Sequence, residues 1–219
     1  GVDNYNEHLM EQLADAGDGN YAYIDNLREA RKVLVEQLSS TLAVVARDVK
    51  LQVEFNPAQV SEYRLLGYEN RALKREDFSN DKVDAGEIGA GHTVTALYEI
   101  VPKGAKGWLE PLRYAPAPAA EGNAAELAML RVRYKPAAGG SSRLIEHPIN
   151  GTQQAASDDL RFASAVAAFA QQLKGDGRYT GSMSLKDTAA LARSARGDDP
   201  YGLRNEFVQL LELAQSLKH

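Results

Sequence analysis

The first 47 residues constrain this chain most, because they follow the pattern of one repeat cut from a larger sheet. Residues 6–16 put Leu9, Met10 and Leu13 on one side of a short amphipathic helix, and Gly17 stands just past its end as a C-cap. Gly17-Asp18-Gly19-Asn20 is a turn and Tyr21–Ile24 a short strand. Asn26 then caps a long helix running to residue 47, with Glu29 spaced for a capping box and Leu27, Leu34, Leu38, Leu42 and Val45 as its buried stripe. Together these make one βα repeat of a parallel sheet. A parallel strand is stable only among neighbours, with its faces covered. Residues 1–47 are therefore expected to be the tail of a larger α/β domain, with that domain's chemistry carried elsewhere.

The period changes at about Val49. Val49, Leu51, Val53 and Phe55 alternate with polar residues, which is strand spacing, and Asn56-Pro57 ends the run. Further strands are expected at Tyr63–Tyr68, Thr93–Val101, Leu127–Lys135 and Arg143–His147, separated by Pro and Gly clusters at 103–107, 116–122 and 136–140. The period then returns to 3.6. Phe162, Val166, Phe169 and Leu173 share a helical face that Gly175 ends, and Ser184 with Asp187 forms a capping box leading into Leu185, Ala189 and Ala192. Asp199-Pro200 starts a last helix striped by Leu203, Phe207, Leu210, Leu211, Ala214 and Leu217. The expected class is α+β: an antiparallel β-sandwich-like region over 48–150, flanked by N-terminal helices and by a helical region over 151–219 that packs with it.

Composition removes several function classes. Of 219 residues, 44% are hydrophobic and 25% charged, ordinary for a chain that buries a core. A net charge of −5 argues against nucleic acid, which calls for a basic footprint. No run approaches the roughly 18 apolar residues of a membrane span, so no membrane insertion by this chain is expected. The absence of cysteine excludes disulfides, thiol catalysis and cysteine-ligated zinc.

Several clusters invite a functional reading and each has a plainer one. Asp77, Ser79, Asp81 and Asp84 resemble the opening of a calcium loop, but Lys82 sits where such a loop needs Gly and Ile88 where it needs a bidentate Glu. A solvated turn accounts for the same residues. Gly86, Gly89 and Gly91 are in the wrong order for a dinucleotide fingerprint, and Gly17, Gly19 and Ala22 precede a strand instead of following one. Positive backbone φ in tight turns explains both sets. His8, His92, His147 and His219 lack metal-ligand spacing, and His92 is read as structural. Arg131, Arg133 and Lys135 alternate with Leu130, Val132 and Tyr134, giving either a row of cations for an acidic partner or the solvent side of a half-buried strand. Tyr63, Tyr68, Tyr98, Trp108, Tyr114 and Tyr134 concentrate in the β region, and Trp108–Leu112 is where an exposed apolar patch is expected. No nucleophile–base pair, metal cluster or phosphate loop emerges, so no catalytic, cofactor or metal residue is assigned.

Two blocks carry a resemblance. Tyr63-Arg-Leu-Leu-Gly-Tyr-Glu-Asn-Arg71 and Asp84-Ala-Gly-Glu-Ile-Gly-Ala-Gly-His-Thr-Val-Thr-Ala-Leu-Tyr-Glu-Ile100 are similar to the C-terminal region of a bacterial family of von Willebrand factor type A domain proteins. Residues 1–7 and 19–25 resemble the closing elements of a type A domain. No Asp-x-Ser here is followed by x-Ser, so the family's metal-binding loop has no counterpart and none of its ligands carries over. The resemblance implies a non-catalytic protein-interaction or scaffold module at the bacterial cell envelope or periplasm, with an unidentified protein partner and no known reaction. A glycan- or calcium-binding sandwich using loop 77–87 or the aromatics near Trp108 is the alternative. An uncovered helix face and an orphan strand also predict a homodimer through the N-terminal elements.

Overall fold

The structure, a computed structural model, describes residues 6–16, 21–38, 42–67, 86–109, 125–175 and 180–217. Helix α1 is Glu7–Ala16. Helix α2 is Leu27–Arg31, started by Asn26, whose side chain accepts from the N–H groups of Arg28 and Glu29, and it continues as a π-helical turn over Lys32–Glu36. Strands follow at β1 Val44–Phe55, β2 Val60–Leu66, β3 Ile88–Gly89, β4 Leu97–Pro102, β5 Glu126–Pro136 and β6 Arg143–Asn150. Helices α3 Asp158–Lys174, α4 Leu185–Ser194 and α5 Leu203–Leu217 complete the chain. The class is α+β with antiparallel pairing, as the change of period predicts. One sheet has the order β3-β1-β5-β6 and the other pairs β2 with β4.

The chain divides into two compact units. The first comprises Gly1–Glu54, Ala72–Thr95 and Leu130–His147. Within it β1 pairs antiparallel with β3, Val44 opposite Gly89 and Ala46 opposite Ile88. The cation row of β5 is tied down by neighbouring acids. Arg131 bonds both Glu54 and Glu146, and Lys135 Nζ lies 2.6 Å from Asp48. These two cations are internally paired, which favours the structural reading of the row. Asp48 itself sits at φ 48° inside β1. Asp tolerates this left-handed geometry better than most residues. The less exposed positions of β1 run through Val44, Ala46, Asp48, Lys50 and Gln52, with Val49 buried as well, so Leu51, expected inside, is 48% exposed.

Three further expectations are corrected in this unit. The helix begun at Asn26 does not run to residue 47, because β1 already starts at Val44 and takes Val45 with it. Tyr21–Ile24 belongs to no strand. The apolar stripe of the N-terminal helices is not buried: Leu27 is 86% and Leu34 58% exposed, and Leu9, Leu13 and Leu38 are exposed too.

The second unit comprises Phe55–Arg71, Ala96–Met129 and Pro148–His219. Its helices α3, α4 and α5 close on Ala165, Ala189, Ala192, Val208 and Leu211, with Phe162, Phe169 and Phe207 around them. Alanines at the centre let the helices approach closely, and the three phenylalanines meet edge-to-face with centroids 5.5 and 5.7 Å apart. The buried face of α3 therefore runs through Phe162, Ala165 and Phe169, while Val166 and Leu173, expected on it, are exposed. Helix α4 has the predicted capping box, Ser184 Oγ accepting from Asp187 N at 3.2 Å and Ser184 N donating to Asp187 Oδ2 at 2.9 Å. Thr188, fully buried, donates to Ser184 O or Gln172 Oε1, both at 3.1 Å. Helix α5 starts three residues beyond the expected Pro200. Asp199 reaches forward to accept from Arg204 N and Asn205 N at 3.2 and 2.8 Å.

Candidate binding site

Strand β2 alternates so that Glu62, Arg64 and Leu66 share one face. Antiparallel register sets Arg64 opposite Glu99 and Leu66 opposite Leu97, which brings those β4 residues to the same face. Arg64 Nε donates to Glu99 Oε2 at 2.8 Å, and its Nη2 donates both to that oxygen and to Gln171 Oε1 of α3, the latter at 2.8 Å. A planar guanidinium suits this forked use. Its carbon also lies 5.6 Å from the centroid of the Trp108 ring, a cation–π distance.

Trp108 is held by its backbone. Glu62 Oε2 accepts from Trp108 N at 2.8 Å, and both Glu62 oxygens accept from Leu109 N at 3.3 Å. Gly107 makes room for this clamp, since a Cβ there would lie 1.9 Å from Glu62 Oε1. On the other face of the ribbon Phe55 packs tilted against Tyr63, centroids 4.6 Å apart, and meets Tyr98 edge-on at 5.4 Å. Burial first, then the neighbouring Tyr63, holds the Tyr98 hydroxyl above its ordinary pKa, so it is neutral at pH 7.

Between the ribbon and α3 lies an open cavity of about 230 Å³. Its walls include Leu66, Leu97, Leu160, Ala167, Ala168 and Met183, with Glu99, Ser164, Gln171 and Thr180 supplying polar atoms. Among the described residues Glu99 is the only formally charged one in the lining, and Arg64 neutralises it. Ser164 Oγ donates to Leu160 O at 2.7 Å, a bond within the helix. The site thus combines apolar walls, one neutralised charge and an adjacent Arg–Trp pair.

Of the sequence candidates Trp108 and Tyr98 belong to this site, and the rest fall away from it or outside the described residues. Trp108 is half-buried and Leu109 is 66% exposed, while 110–112 lie outside. Asp77, Ser79, Asp81 and Asp84 also lie outside, as do Gly17, Gly19, Tyr68, Tyr114 and His219. Gly86 and Gly91 take φ of 128° and 76°, the positive values expected of them, whereas Gly89 lies in β3 and does not. His92 and His147 are exposed, and His8 is bonded to Gln12 at 3.1 Å. Among the described residues no group of three or more His, Cys, Asp or Glu could hold a metal ion. No described helix is long and apolar enough to cross a membrane. Sequence reasoning missed Arg64, Glu99, Glu62 and Gln171 as a group. Arg64 and Glu99 stand in the two blocks quoted for the resemblance, but their pairing across 35 positions depends on a register that spacing does not reveal.

Both ribbon strands fall inside the stretch that similarity to known proteins covers. A sequence profile described as "Uncharacterized protein YfbK, C-terminal" matches residues 40–217. The chain belongs to the YfbK C-terminal family. It is 48% identical over 219 residues to the "Uncharacterized protein YfbK" of Escherichia coli (strain K12), covering 99% of this chain and 38% of that protein. The chain thus spans less than two thirds of that relative's length. No solved structure matches. In YfbK-family terms, the Arg64–Glu99 pair, Trp108 and the cavity all lie within the matched C-terminal region, whereas α1 and α2 precede it.

Proposed function

We propose that this chain is a non-catalytic protein-interaction module, part of a longer protein in which a von Willebrand type A domain precedes the YfbK C-terminal region at the bacterial cell envelope. The observation that carries the interaction reading is the Trp108–Arg64 platform beside a neutral apolar cavity. Trp and Arg are the residue types that dominate binding energy at protein interfaces. The exposed leucines of α1 and α2 support the larger-protein reading, since such a stripe is stable when another surface covers it. The two blocks at 63–71 and 84–100 support the type A association.

The test is a pull-down from envelope extracts, comparing this chain, its Trp108→Ala variant and the longer protein, with and without magnesium. Capture by the chain alone that is indifferent to metal and lost in Trp108→Ala, with an unchanged melting temperature, is the expected result. Capture only by the longer protein, and only with magnesium, would move recognition out of this region and leave it a support.

A further inference from the structure

The cavity and the turn that follows β4 have complementary features. Lys103 and Lys106 are exposed in that turn and form no ion pair among the described residues, in a chain whose net charge is −5. Lys106 is two positions from Trp108, and Lys103 is four positions from Glu99. At about 3.3 Å per extended residue, Lys103 is at most about 13 Å along the chain from Glu99 in the cavity wall. The cavity, at about 230 Å³, falls below the ~300–1,000 Å³ of small-molecule sites. It has room for one side chain. Because Glu99 is already neutralised by Arg64, a charged head placed there would lose hydration without a free counter-ion.

Resting on the interaction reading above, we infer that this surface receives an acidic, apolar-anchored segment of a partner protein: one uncharged side chain of leucine-to-phenylalanine size fills the cavity, and a carboxylate about four residues away meets Lys103 or Lys106. Trp108 lies between the two and is covered by the segment. The lysines steer and orient, and the buried anchor supplies affinity.

Trp108 is the sole tryptophan, so its fluorescence reports on this surface directly. The probe is a displayed library of random twelve-residue peptides selected on the immobilised chain, followed by fluorescence titration of a synthesised winner. Winners are expected to carry Leu, Met or Phe three to five positions from Asp or Glu. Binding is expected to weaken at least tenfold in Ser164→Phe, which fills the cavity from an exposed helix position. A similar loss is expected in Lys103→Glu/Lys106→Glu, which changes only exposed side chains. Winners rich in Lys or Arg, or winners that bind both variants like the parent, would overturn the inference while leaving the interaction reading intact. A selection that yields no peptide, beside an envelope pull-down dependent on Trp108, overturns the inference in the same way. If that pull-down is also empty, both readings fall.

Discussion

Gly107 shows how one absent side chain sets a loop. Any Cβ there collides with the Glu62 carboxylate, which is itself tied to two backbone N–H groups. Gly107→Ala is expected to eject that carboxylate, lower stability by about 0.5–1.5 kcal/mol and shift Trp108 emission to the red; an unchanged spectrum would show that the clamp survives. Asp48 is the second such position. Its left-handed backbone would be strained with most side chains, so Asp48→Ala is expected to lose about 1–2 kcal/mol by denaturant titration. Asp48→Asn keeps the tolerated geometry and gives up only the half-exposed pair with Lys135, about 0.2–1 kcal/mol. Equal losses would refute the backbone argument. Neither residue was legible beforehand. Gly107 lies in a run of turn residues, and the alternation of Val49, Leu51, Val53 and Phe55 carries no sign of a positive φ at Asp48.

At the scale of elements the C-terminal helices were the most legible part, because caps and 3.6-residue periodicity act locally. The Ser184–Asp187 box illustrates this. Side-chain and backbone bonds from Ser184 hold the Asp187 carboxyl below its ordinary pKa. A depressed carboxyl contributes stability above its unfolded value and loses it as pH falls through the folded value. Melting temperature should therefore drop more steeply in acid for the parent than for Ser184→Ala, which costs about 1 kcal/mol at neutral pH. Parallel acid profiles would remove the box from the account. Leu211, fully buried where α3, α4 and α5 meet, should cost about 2–5 kcal/mol when cut to alanine. The helix-to-strand change near residue 43 was not legible. Leu34, Leu38, Leu42 and Val45 keep helical spacing, while β-branched Val44, Val45 and Val49 favour a strand, and tertiary pairing with β3 decides between them. The ribbon site was hidden for a related reason: register across β2 and β4 assembles it from residues that are unremarkable one at a time.

For the molecule as a whole, the leucines along α1 and α2 predict concentration-dependent self-association. Sedimentation should show dimer that diminishes in Leu27→Ser/Leu34→Ser, and a parent that stays monomeric throughout would exclude the homodimer. The opposite tendency is built into β6. Among the described strands it closes one side of its sheet, seven of its eight residues are exposed, and Pro148 stands within it. Proline offers no N–H, and in a sheet it is tolerated where that missing donor faces water. A sheet margin that carries a proline is a poor template for a second copy, and Pro148→Val is expected to raise the tendency to aggregate, as light scattering would show.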